Sequence, residues 1–178
     1  MRRLLLAGAV LLSGCGLIPT PRVDVDNTSL RLPGSAPLSG KVVYLETDAL
    51  AGNRVPAALQ QITIRGQATY RTAGLGTLRS AGLYVRSTLT ALPATCTVSP
   101  ATPTAPRMVV CDAAGEASQF IGTLELRAGQ GQPFSLGGAA LDTAAKAGHG
   151  YFGMAFSAGQ SVWTDSLDLT GMTASARL

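Results

Sequence analysis

A chain of 178 residues with a single histidine has few ways to run acid–base chemistry near neutral pH. That histidine, His149, stands between Gly148 and Gly150, and Ala155-Phe156-Ser157-Ala158-Gly159 has the outline of a nucleophile elbow with its first glycine replaced. A triad of Ser157, His149 and Asp165 can therefore be written down. The elbow, however, requires a strand–turn–helix setting, and the surroundings here read as strand–loop–strand. An exposed turn is the better account of His149. Glycosidase chemistry needs two carboxylates facing each other across a cleft, and Glu46, Asp48, Glu125, Asp142, Asp165 and Asp168 have no recognisable spacing for that. One histidine excludes an H-E-x-x-H zinc helix from this chain. No D-x-D-x-D-G run offers calcium its oxygen ligands. Gly74-Leu75-Gly76-Thr77 lacks the lysine and following helix of a phosphate-cradling loop, and residues 129–131 read as a hairpin loop. No metal site and no cofactor are expected, and the chain reads as non-enzymatic.

The start of the chain carries a different kind of chemistry. Met1-Arg2-Arg3 is basic and residues 4–12 are an apolar run. As helix, that run spans roughly 14 Å, under half the roughly 30 Å hydrocarbon core of a bilayer, so it fits a secretory signal peptide and not a transmembrane anchor. The run closes on Leu12-Ser13-Gly14-Cys15. This pattern resembles the lipobox of bacterial lipoproteins. The resemblance implies that residues 1–14 are removed, that Cys15 is lipidated and begins the mature chain, and that the protein lives in the cell envelope. Gly16, in place of aspartate, implies the outer membrane. Several acyl chains on Cys15 give effectively stable anchoring, at about 0.8 kcal/mol per buried methylene.

Export places Cys96 and Cys111 in an oxidising space, where an even pair is expected to bond. They flank a segment holding Pro100, Pro103 and Pro106. Closing a loop of about 15 residues stabilises by roughly 3 kcal/mol in the chain-entropy model. No C-x-x-C spacing favours a redox or metal role.

The formal charge of +4 shrinks to +2 once Arg2 and Arg3 leave with the leader, with 12 basic against 10 acidic residues. What remains is polarised along the sequence. Between Ala49 and Cys111 stand Arg54, Arg65, Arg71, Arg79, Arg86 and Arg107 with no acid, whereas Asp112 to Leu178 carries six acids against Arg127, Lys146 and Arg177. Arg65 and Arg71 share the polar face of one expected strand. With Arg86 on a neighbouring strand they make a candidate binding face for carboxylate or phosphate. The alternative use of these arginines is pairing with the later acids.

These groups must be positioned by β-structure. Residues 16–40 carry Pro19, Pro21, Pro33 and Pro37 and read as a tether after Cys15, with residues 28–32 able to dock as an edge strand. From Lys41 to the end, period-two alternation dominates. It is clearest over residues 61–72, where Ile62, Ile64, Gly66, Ala68 and Tyr70 fall on one face. Further strands are expected over 41–46, 83–89, 107–112, 120–128, 134–140, 151–157 and 161–170, with 172–178 continuing the last one past a bulge at Gly171. Residues 120–128 put Phe120, Gly122, Leu124 and Leu126 on one side. Residues 142–148 allow one or two helical turns, with Asp142 as N-cap. The expected architecture is all-β: an antiparallel two-sheet sandwich over residues 41–178. The short turn before Tyr151, the alternating Gly153 and Ala155 and the loop Ala158-Gly159-Gln160 resemble the tyrosine corner and following strand of immunoglobulin-like and fibronectin-type sandwiches.

The expected function is that of a non-enzymatic outer-membrane lipoprotein, held to the membrane by its anchor. Its sandwich would bind or scaffold another envelope component, either a protein or an anionic glycan or lipid. Nucleic acid is not expected, because export and the lack of a basic–aromatic platform argue against it. Two alternatives are an envelope-polymer hydrolase with an unconventional site, and a lipid or pigment carrier whose slot is lined by Phe152, Met154, Phe156 and Trp163.

Overall fold

The computed structural model describes residues 22–101 and 107–177. The expected signal peptide, Cys15 with its lipidation, Pro103 and Pro106 lie outside the described residues. In chain order the strands are β1 (Val23–Val25), β2 (Thr28–Arg31), β3 (Lys41–Asp48), β4 (Gln60–Arg71), β5 (Ser80–Arg86), β6 (Cys96–Ser99), β7 (Met108–Asp112), β8 (Phe120–Glu125), β9 (Gly131–Gly137), β10 (Tyr151–Ala158) and β11 (Ser166–Arg177). One helix, α1 (Ala139–Ala147), lies between β9 and β10, and 3₁₀ segments occupy Ala36–Leu38 and Ala113–Gln119.

Every ladder between these strands is antiparallel, and the strands form two sheets. The first runs β1-β11-β4-β9, with β2 also paired to β11, and the second runs β6-β7-β3-β10-β5-β8. This is the expected two-sheet β-sandwich. Between the sheets pack Ile62, Ala68, Tyr70, Phe134, Leu136, Leu167, Leu169 and Met172 from the first and Ala81, Leu83, Val85, Ile121 and Leu124 from the second. One stripe of α1, made of Ala140, Leu141, Ala144 and Ala145, joins the same core. Strand β4 behaves as its alternation requires, with Ile62, Ala68 and Tyr70 buried and Arg65, Gln67 and Arg71 exposed. The bulge at Gly171 is present, with φ +57° and a register shift between Thr170 and Thr173, which returns Met172 to the core.

Four expectations are corrected, and one strand is added. The edge strand expected over residues 28–32 forms, with Thr28–Arg31 added to β11, but the sandwich takes up more of the tether than that: Val23–Val25 also adds to β11, Leu32 is buried, and Ser161 N–H donates to Ser35 Oγ at 2.8 Å. Proline density marks where strands stop, but it does not prevent short pieces between prolines from completing a sheet edge. The turn around Gly129 closes a single antiparallel bridge, Arg127 with Gln130, yet β8 and β9 belong to different sheets, so it joins layers and the two strands do not form one hairpin. In β8, Gly122 adopts φ +149° beside a register shift, a bulge that turns Ile121 inward and leaves Phe120 exposed against Tyr84. Helix α1 begins at Ala139, so Asp142 lies inside it and is not its N-cap. Strand β6, unexpected from its sequence, exists because Cys96 pairs directly with Cys111.

Part of the outer face of the second sheet is covered and not solvated. Val42, Tyr44, Val109 and Cys111 form a separate small core there, covered by Leu89, Leu92 and Ala113. This second layer decides where the titratable groups sit.

Candidate functional site

Arg86 closes β5 at one end of the molecule, on the face opposite that of Leu83 and Val85, and the 3₁₀ segment 113–119 lies over it. That segment delivers Glu116, fully buried at 0% exposure. Arg86 Nε and Nη2 donate to Glu116 Oε2 and Oε1 at 2.8 and 2.6 Å, and Tyr44 Oη donates to Oε2 at 2.7 Å. The guanidinium also sits 5.7 Å from the centre of the Tyr44 ring. Burial, then the Glu116 carboxylate, push the Tyr44 phenol well above its ordinary pKa. The hydrogen bonds that Arg86 donates to Glu116 push the guanidinium upward in turn. This triad is a satisfied structural ion pair, because each charged oxygen has a donor. A cavity of about 230 Å³ opens beside it, lined by Arg86, Thr88, Gln119, Ala140 and Thr143 among others.

The disulfide lies against the same carboxylate. Cys96 and Cys111 are joined, with Cα atoms 4.0 Å apart, and Cys96 Sγ is 3.9 Å from Glu116 Oε1. Donor atoms of Cys96, Cys111 and Glu116 lie within 4.8 Å of one another. With the sulfurs bonded to each other and the carboxylate gripped by Arg86 and Tyr44, this set offers a cation no free thiolate.

The three arginines proposed as one face are not together. Arg65 is exposed on β4, and Arg71, also exposed on β4, pairs with Asp168, which accepts a further bond from Ser29 Oγ at 2.7 Å. Arg86 belongs to the other sheet, with its side chain only 13% exposed. The pairing of early arginines with later acids is what Arg71–Asp168 and Arg86–Glu116 display.

Nor do Ser157, His149 and Asp165 meet. Ser157 Oγ donates to Ser80 Oγ at 3.0 Å. His149 Nδ1 lies 2.6 Å from Asp48 Oδ2, and Asp48 Oδ1 accepts the amides of Gly150 and Leu50 at 2.8 and 3.2 Å. Burial works against the Asp48 charge, but the Gly150 amide, His149 and the Leu50 amide outweigh it and lower the pKa. Asp165 is buried in the turn before β11, where it accepts the Tyr70 hydroxyl and the Val162 amide and its Oδ1 has no hydrogen-bond partner. Burial and the Asp165 hydrogen bond push Tyr70 up to about 12. A Cβ on Gly76 would fall 1.8 Å from Tyr70 Oη and 2.0 Å from Asp165 Oδ2, so only glycine closes this corner.

Sequence reasoning missed the most exposed apolar feature. Leu75 and Trp163 are 82% and 69% exposed. Their loops, 72–79 and 159–165, are neighbours, since Arg71 pairs with Ser166, Thr77 N–H donates to Gln160 O at 2.7 Å and Gln160 N–H to Thr77 Oγ1 at 3.2 Å. Trp163 is therefore not part of an inter-sheet slot, whereas Phe152, Met154 and Phe156 do pack on the central core. The strand expected over 161–170 hid it: β11 begins only at Ser166, and residues 161–165 form the turn that carries Trp163 out of the ladder.

No family model, curated protein or solved structure matches this chain.

Proposed function

We propose that this protein is a lipid-anchored, non-enzymatic component of a bacterial envelope, whose sandwich binds another envelope protein through the end bearing Leu75 and Trp163. The observation that carries the contact is the exposure of two large apolar side chains on adjoining, mutually bonded loops. The anchor rests on the lipobox resemblance at Cys15. The location of the tip supports a role at a distance from the membrane, because the chain enters the fold at the other end of β11, where Val23 pairs with Ala174. The engagement of His149, Asp165, Glu116 and Ser157 in structural bonds supports a binding role over a hydrolytic one.

The test is photocrosslinking in intact envelopes, with the reactive residue at position 75, 163 or 65, alongside the mass of the mature N-terminus. Discrete adducts at 75 and 163 and acyl mass on Cys15 are expected. Adducts from position 65 alone would move the contact to the β4 face, and an unacylated Cys15 would remove the anchor.

A further inference from the structure

The end of the sandwich opposite Trp163 gathers cations that no motif announces. Arg177 pairs with Gln60 at the start of β4, and Val23 pairs with Ala174, so Arg22 stands beside the last residues of β11. Asp142 accepts the amides of Gln61 and Ile62, which brings α1 to the same end, and its final turn carries Lys146. Arg54 lies across that turn and donates from Nε to Lys146 O at 2.8 Å. Arg22, Arg54 and Arg177 are exposed and Lys146 is half-buried.

The nearby acids are largely engaged. Asp142 holds two amides, and Asp48 holds His149 and two amides. Asp24 on β1 is exposed near this end, and Glu46, also exposed, is paired with Arg107.

Geometry then selects what these cations meet. Six residues separate Cys15 from Arg22, which limits the covalent reach to about 25 Å. Strand β11 has 12 residues, about 40 Å of sheet. A bilayer holding the acyl chains of Cys15 lies within reach of the Arg22 end.

We propose that Arg22, Arg54, Lys146 and Arg177 form a docking surface for the anionic phospholipid headgroups of the membrane that holds the anchor, and so stand the sandwich with Trp163 outermost. This rests on the lipid-anchor reading. Guanidinium forks suit phosphate oxygens, and a cation at an anionic surface changes partition about fivefold, the equivalent of ~1 kcal/mol.

The experiment uses the full lipidated protein in vesicles of phosphatidylcholine alone or mixed with phosphatidylglycerol, followed by amide hydrogen exchange. Residues 51–59 and 143–149 should gain protection in the mixed vesicles only, severalfold and reversibly with salt, while residues 72–79 and 159–165 stay unchanged. Arg54→Ser should cut that gain about fivefold, Arg54→Lys should retain most of it, and the fourfold serine variant should abolish it. Equal protection in both vesicle types, protection that survives the fourfold variant, or protection of residues 159–165 would each overturn the docking surface with the anchor intact. A chain that floats with neither vesicle and carries no acyl mass would instead overturn the anchor, and the docking surface with it.

Discussion

Arg86 grips Glu116 through two parallel hydrogen bonds of 2.8 and 2.6 Å beneath a 3₁₀ cover, and this buried pair removes Arg86 from the solvent-facing arginines. Removing one partner leaves the other charge buried and uncompensated. Arg86→Met should therefore destabilise the fold by about 3–5 kcal/mol, read as a fall in the urea midpoint. The combination Tyr44→Phe, Arg86→Met and Glu116→Leu should recover most of that loss, since no polar group is then stranded.

The disulfide joins directly opposed residues of β6 and β7 and closes a separation of 15 residues. Its reduction, or the double variant Cys96→Ser/Cys111→Ser, should cost about 3 kcal/mol in the unfolding free energy. Because β6 is an edge strand held to β7 alone, amides of Thr97 to Ser99 should exchange fastest after reduction, with β3 and β10 unaffected.

Asp142 acts as a clamp. Its two oxygens take the amides of Gln61 and Ile62 at 3.0 and 2.8 Å, and Gln61 sits at φ +51°, a conformation that needs such support. Asp142→Ala should lower stability by about 1–3 kcal/mol and accelerate exchange at those two amides. Asp142→Asn, with one acceptor oxygen left, should fall between the two.

Acid should loosen the sheet through specific carboxylates. The Ser29 hydroxyl and then Arg71 lower the Asp168 pKa, and Asp48 is lowered by the bonds that outweigh its burial. A lowered folded pKa means that the unfolded chain binds the proton more tightly, so this stability is full above about pH 5 and drains as the pH falls through the unfolded and then the folded values. Urea midpoints should decline from about pH 5 downward. Asp168→Asn should start lower and show a flatter decline, whereas an unchanged slope would remove Asp168 from the acid response.

Leu75 and Trp163 offer the converse case. Replacing both with serine removes exposed apolar surface that contributes little to folding, so the unfolding free energy should move by less than about 0.5 kcal/mol. Loss of the crosslinked partner without loss of stability is the expected result.

Much of the sandwich was legible beforehand. Strand β4 alternated because one of its faces is buried and the other wet, and β11 carried its glycine bulge in plain view. Period-two reasoning failed where its premise failed. In β8 the Gly122 bulge exchanged inside for outside at Phe120 and Ile121. In β3 Val42, Val43 and Tyr44 are all buried, because the outer face has its own cover. Short edge strands such as β1 and β6 carry too little pattern to be read locally, since β11 and the disulfide order them.

The sequence by itself determined the antiparallel sandwich and the cysteine pair, because alternation and covalent chemistry are legible in the residues themselves. Only the tertiary structure decided that Arg86 faces Glu116 and not Arg65, that His149 belongs to Asp48, and that Trp163 stands exposed at one end while Arg22, Arg54, Lys146 and Arg177 gather at the other. Those relationships join residues from 30 to more than 100 positions apart. They depend on which sheet each strand enters and on what covers it, information that no local spacing carries.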